Sequence, residues 1–93
     1  MKKNVDIVKV EKISRALGDP YRVKMLEVIR HQTSGVTCQA MLDTFDLAQS
    51  TISHHLKQLV DAELLLYEKD GRCSRYCINK KTFSDFVNIL KKF

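Results

Sequence analysis

The sequence predicts a mostly helical α+β domain with about five helices and a two-stranded β-hairpin. Two observations predict it. Apolar residues recur at helical spacing in five separate stretches, and two strand-like runs, Leu64 to Lys69 and Cys73 to Asn79, flank the turn pair Asp70-Gly71. With 93 residues, no internal repeat, no Gly/Ser-rich linker and one proline, residues 1–93 read as a single domain.

Each element has a local reason. Residues 5–17 set Val10, Ile13 and Leu17 on one helical stripe, with Lys9, Lys12 and Arg15 toward solvent, and Gly18 ends the helix. Asp19-Pro20 restarts the chain, because Asp caps a helix N-terminus and proline at the first helical position forfeits no hydrogen bond. The second helix, residues 20–31, is expected to bury Val23, Leu26 and Ile29. Gly35-Val36 suits a very short strand, and Thr37 a cap for a third helix over 38–45 with Met41, Leu42 and Phe45 as its apolar side. After Asp46-Leu47-Ala48, a fourth helix over 49–62 turns Ile52, Leu56, Leu59 and Val60 inward. The hairpin follows, and a last helix over 82–93, capped by Thr82, carries Phe83, Phe86, Val87, Leu90 and Phe93.

Composition excludes several classes. Hydrophobic residues at 44% and charged residues at 29% are globular proportions, so disorder and fibrous repeats are out. The longest apolar run, Leu64 to Tyr67, falls far short of the ~20 residues that span a bilayer, and Asp6, Lys9, Glu11 and Lys12 interrupt any signal sequence, so a cytoplasmic location is expected. Three cysteines, an odd number, make no disulfide framework. His31, His54 and His55 have no nucleophile and carboxylate arranged beside them, and no Gly-rich phosphate loop exists, so neither an enzyme nor a cofactor is expected. The net charge of +5 favours an anionic partner, yet the excess sits at the ends: residues 1–15 and 80–93 carry +3 each, while residues 49–79 balance to 0.

Two helices joined by a short turn and followed by a hairpin are the order of a winged helix-turn-helix. Helix 49–62 then reads double-stranded DNA and hairpin 65–79 is the wing. Gln49 can pair bidentately with adenine, Ser50, Thr51 and Ser53 can bond to bases or phosphates, and His54 lies on the same exposed side. Lys57, Lys69, Arg72 and Arg75 suit phosphates, Arg72 beside the turn above all. His55, beside Ile52 and Leu56, reads as a half-buried packing histidine bonded to backbone. The competing reading makes the same helix a protein-docking surface. Steep loss of binding with salt separates the two, because only DNA releases condensed counterions.

The stretch Ala16 to Leu26, the stretch Ser50 to Leu59 with Ile52-Ser53-His54-His55-Leu56 at its centre, and Asp70-Gly71-Arg72 before a Tyr-containing strand resemble the ArsR/SmtB family of winged-helix transcriptional regulators. The resemblance covers roughly residues 10–80. It implies a homodimer on a pseudo-palindromic operator that represses transcription and lets go when an inducer binds. It also implies that the first and last helices make the dimer contact, here through Val10, Ile13, Phe83, Phe86, Val87 and Leu90. The terminal apolar stripe needs cover in any case.

Members that sense metals or metalloids carry a Cys-x-Cys pair before the reading helix, or Asp and His ligands in the terminal helix. Here Thr37-Cys38-Gln39 keeps one cysteine and the last helix has no histidine, so no metal site is implied. Cys73 and Cys77, four residues apart on one strand, lie about 13 Å apart and cannot pair. Cys38, at a helix start, is the candidate thiol for a redox, persulfide or arsenical sensor, against the plainer reading of a small buried side chain.

Overall fold

The computed structural model describes the backbone of residues 2–70 and 73–93, and the side chains of residues 7–69 and 74–93. The chain runs α1 (Lys2–Ala16), α2 (Pro20–Ile29), β1 (Val36–Thr37), α3 (Cys38–Thr44), α4 (Gln49–Asp61), β2 (Leu65–Asp70), β3 (Cys73–Ile78) and α5 (Lys80–Leu90). None of its helices is long and apolar enough to cross a membrane among the described residues.

Local chemistry starts α2 and α3 where short side chains satisfy free N–H groups. The Asp19 carboxylate accepts from the backbone N–H of Tyr21 at 2.8 Å and of Arg22 at 3.3 Å, with Pro20 in the first helical position. Desolvation pushes that carboxyl up, but the two N–H bonds and the neighbouring His55 and Arg22 outweigh it and hold it below the usual carboxylate range. Thr37 caps α3 by accepting from the Ala40 N–H at 3.1 Å. At the far end of α4, Glu63 takes a left-handed conformation (φ 62°), and the N–H groups of Glu63 and Leu64 donate to the carbonyls of Val60 and Leu59. That paired closure stops the helix and turns the chain into β2.

One core joins all the layers. Ile13 of α1, Met25 and Ile29 of α2, Met41 of α3, Ile52, Leu56 and Leu59 of α4, and Leu64 and Leu65 at the start of the hairpin are fully buried together. Each such side chain is worth ~1.5–3 kcal/mol of transfer free energy. Val23 departs from expectation: it is 46% exposed. The buried stripe of α2 is Met25, Leu26 and Ile29, and a residue two positions before Met25 lies about 200° round the helix from it.

The hairpin is part of a three-stranded antiparallel sheet in the order β1-β3-β2, so the two-stranded expectation is extended by one strand. Leu65 pairs with Ile78 at its base and Asp70 with Cys73 near its tip, while Val36 and Thr37 pair with Tyr76 and Arg75. Gly35 leads into this short strand at φ +90°, where a Cβ would stand 2.9 Å from Cys77 Sγ, so the close approach requires glycine.

Helix α5 begins at Lys80, two residues before the cap expected of Thr82. The Asn79 N–H is tied to the Leu64 carbonyl at 3.0 Å, so the chain enters the helix directly from β3 and Thr82 is buried inside it. The helix ends at Leu90, leaving Phe93 beyond it and 89% exposed. Lys9, expected to face solvent, instead reaches Asp85 of α5 at 3.0 Å, and Lys81 holds the same carboxylate at 2.9 Å.

Candidate nucleic-acid interface

Helices α3 and α4 are joined by residues 45–48, a four-residue turn, and α4 lies against the core along Ile52, His55, Leu56 and Leu59. This inward stripe fixes what faces out. Gln49, Ser50, Ser53, His54 and Lys57 are exposed and Thr51 is half-buried. No side-chain cap closes the N-terminus of α4. Among the described residues, the side chains of Gln49, Ser50 and Ser53 have no hydrogen-bond partner within the chain. The first turn of α4 therefore offers amide and hydroxyl groups together with free backbone N–H groups, the set that can meet base edges and phosphates. Lys57 pairs with Asp61 at 2.9 Å, but both are exposed, and a surface pair of this kind is weak enough to exchange for a phosphate.

His55 is more buried than expected, 7% exposed, and its polar partner is a side chain, not backbone. Arg22 Nη1 donates to His55 Nδ1 at 3.4 Å, and the His55 ring stacks on Tyr21 with centroids 6.3 Å apart. A guanidinium only donates, so Nδ1 is the accepting nitrogen. Sequence reasoning did not single out Arg22. Its partners lie six, seven and 33 residues away, beyond any local pattern.

The wing separates its two described cations. Strand alternation sets Tyr67 and Lys69 on the sheet face of Leu65, which covers the core, while Arg75 stands mid-sheet between Thr37 and Glu68 on the opposite face. Arg72 lies outside the described residues, as does the side chain of Cys73. A wing feature missed from the sequence is the exposed Tyr67 hydroxyl, bonded to Ser74 Oγ at 2.6 Å across the strands, with its ring tilted on Tyr76 at 5.2 Å. The alternation 65, 67, 69 was the signal that placed it beside Lys69.

At the other end of the molecule, α1 and α5 pack together. Ile13 is 1% exposed and packs within the chain's own core. Phe83 and Phe86 are half-buried against the same core and Val10 is half-buried, whereas Val87 and Leu90 are 48% and 44% exposed. Ile7, Val8 and Phe93 add exposed apolar surface next to them, and a shallow apolar groove runs between Ile7, Val10, Ile89 and Phe93. Cys38 opens α3 and packs half-buried against the core, and Cys77 is half-buried on β3; both are free thiols. Among the described residues, no group of three or more His, Cys, Asp or Glu side chains is placed to hold a metal ion.

Helices α3 and α4, their turn and the β2–β3 hairpin define a winged helix-turn-helix. Residues 17–68 match the family described as Helix-turn-helix domain. The chain is 36% identical over 77 residues to the arsenical resistance operon repressor of Staphylococcus xylosus, covering 82% of this chain and 70% of that one. An ArsR-like transcriptional regulator from Rhodococcus sp. RHA1 superposes with a TM-score of 0.83 at 19% identity, over 92% of this chain and 79% of that one. The homodimeric winged helix-turn-helix DNA-binding domain of a possible ArsR-family regulator from Mycobacterium bovis does so with a TM-score of 0.78 at 18% identity, over 95% and 81%. The chain belongs to the ArsR/SmtB family of winged helix-turn-helix transcriptional regulators.

Proposed function

We propose that this protein is a sequence-specific repressor of transcription that binds a pseudo-palindromic duplex DNA operator as a homodimer. The observation that carries the reading is the outward first turn of α4, where Gln49, Ser50 and Ser53 stand exposed and unbonded on a helix anchored from behind. The Staphylococcus xylosus relative is named a repressor, and the Mycobacterium bovis neighbour a homodimeric DNA-binding domain, which supports both halves of the reading.

In this reading α4 enters the major groove, which at ~12 Å wide admits one helix. Gln49 and His54 address base edges, and Ser50, Thr51 and Ser53 divide between bases and phosphates. Lys57, Lys69, Arg72 and Arg75 hold the backbone. Val10, Phe83, Phe86, Val87 and Leu90, joined by Ile7, Val8 and Phe93, meet a second copy. A two-fold axis then sets two copies of α4 about one helical turn apart.

The test is fluorescence anisotropy with duplexes enriched from the DNA upstream of the protein's own gene, titrated between ~50 and ~200 mM salt. Affinity is expected to fall by about 10³-fold over that range through counterion release. Absence of binding to any duplex at the low-salt end overturns the reading and favours a protein-docking module.

A further inference from the structure

We propose that Arg22 is the positioning residue of the reading helix: one guanidinium joins the end of α1 to α4, and so sets which half-site spacing the dimer accepts. This rests on the reading above, in which α1 borders the two-fold contact and α4 enters the groove.

Arg22 lies in the first turn of α2, where its own N–H is held by the Asp19 cap at 3.3 Å. Its side chain then spans two elements at once. Nε donates to the Ala16 carbonyl at 2.7 Å and Nη2 to the Arg15 carbonyl at 3.3 Å, both in the last turn of α1, while Nη1 donates to His55 Nδ1 at 3.4 Å on the inner face of α4. The carbonyls of a helix's last turn lack intrahelical donors, so a cation there is doubly favoured. The buried apolar residues Ile52, Leu56 and Leu59 also hold α4, and such contacts are non-directional. The Arg22–His55 bond is directional, and the Tyr21 ring stacked on His55 at an interplanar angle of 24° limits the imidazole from a second side. A planar fork is needed for this task, because an ammonium cannot reach carbonyls and imidazole together.

Spacing is where such a bridge shows itself. Inserting or removing one base pair at the centre of an operator changes the distance between the half-sites by about 3.4 Å and rotates one against the other by roughly a tenth of a turn. A rigid α1–α4 connection makes that change costly, and a loosened one tolerates it.

The experiment compares the wild-type protein with Arg22→Gln and His55→Phe on operators whose central spacing is varied by one and two base pairs. His55→Phe keeps a ring against Tyr21 and removes the acceptor. Sedimentation and thermal melting confirm that each variant is folded and dimeric. Each is expected to bind the preferred spacing about 10-fold more weakly, the size of one lost hydrogen bond to a charged group, and to discriminate less between spacings. The double variant should lose no more than Arg22→Gln alone, since the bond that His55→Phe removes is already gone. Uniform weakening at every spacing, an unchanged spacing profile, or additive losses in the double variant would overturn the proposal. Should Arg22→Gln fail to fold, His55→Phe and Arg22→Lys carry the same comparison, with Arg22→Lys expected to broaden the profile as well. A wild-type protein that binds no duplex overturns the repressor reading itself, an outcome distinct from bound DNA with an unaltered profile.

Discussion

Helix α4 turns Ile52, His55, Leu56 and Leu59 into the core and shows solvent Gln49, Ser50, Ser53 and His54, whereas α5 lays Phe83 and Phe86 toward the same core, buries Ile89 beside Ile7 and Val10 of α1, and shows solvent Val87 and Leu90. Both helices are amphipathic, but the apolar pattern assigns the inward face of α4 better than that of α5, where Ile89 is buried and Val87 and Leu90, with Phe93 beyond the helix end, are exposed. The outward faces differ in kind. Amides and hydroxyls give up water only to groups that replace their hydrogen bonds, and apolar side chains gain by leaving water altogether. The difference between the two helices fits the two partners proposed above, a nucleic acid for α4 and a second copy of the chain for α5.

The strongest way to break this contrast is to make the outer face of α5 resemble a charged surface. Val87→Glu combined with Leu90→Glu should convert the dimer to a monomer in sedimentation and weaken operator binding by ~100-fold or more, because the second reading helix loses its tether. Circular dichroism should show the helices intact. Next in size, Leu56→Ala on the inner face of α4 should cost ~2–5 kcal/mol in urea unfolding, while Ser53→Ala on the outer face stays within ~0.5 kcal/mol. Equal losses at the two positions would erase the distinction between the faces.

Within the outer face of α4 the contrast sharpens further. Gln49→Ala and His54→Ala should each cost ~1–3 kcal/mol at one base pair and change sequence preference with little effect on the salt slope. Lys69→Ala should weaken all duplexes alike and lower the salt slope by about one per subunit. Competition among operator variants at two salt concentrations measures both.

The smallest effect concerns the α1–α5 pair. Hydrogen bonds from Lys81 and Lys9, with their charges, hold the Asp85 carboxyl below the usual carboxylate range. A carboxyl with a lowered folded pKa contributes stability that is complete above about pH 4 and is lost as pH falls through the lowered value. Asp85→Asn should thus lower the melting temperature slightly at neutral pH and flatten its decline on the acid side. An acid limb identical to wild type would remove Asp85 from the account.

Much of this was legible because it is local. Asp19 and Thr37 cap N–H groups two or three residues away, so a short window shows them. The start of α4 at Gln49 and its inner residues Ile52, Leu56 and Leu59 follow from one helical period. What depended on distant chain was not legible. Gly35-Val36 could be read as a very short strand, but the pairing of Val36 and Thr37 with β3, some forty positions on, could not be read. Thr82 has the chemistry of a cap, but the bond from Asn79 to Leu64 starts the helix earlier. One apolar stripe on α1 could not say that Ile13 belongs to the chain's own core, because it shows which side is apolar and not which partner covers it. Arg22 gave no sign of its role, since His55 is 33 residues away.

The central claim is that two copies joined along α1 and α5 present two α4 first turns to one duplex. It is tested most directly by selecting duplexes from a random pool with the wild-type protein and measuring the mass of the enriched complex by sedimentation. The account predicts an inverted repeat with half-sites about 10 base pairs apart, bound by two chains per duplex. Enrichment of a single asymmetric site occupied by one chain, or no enrichment at all, would contradict it.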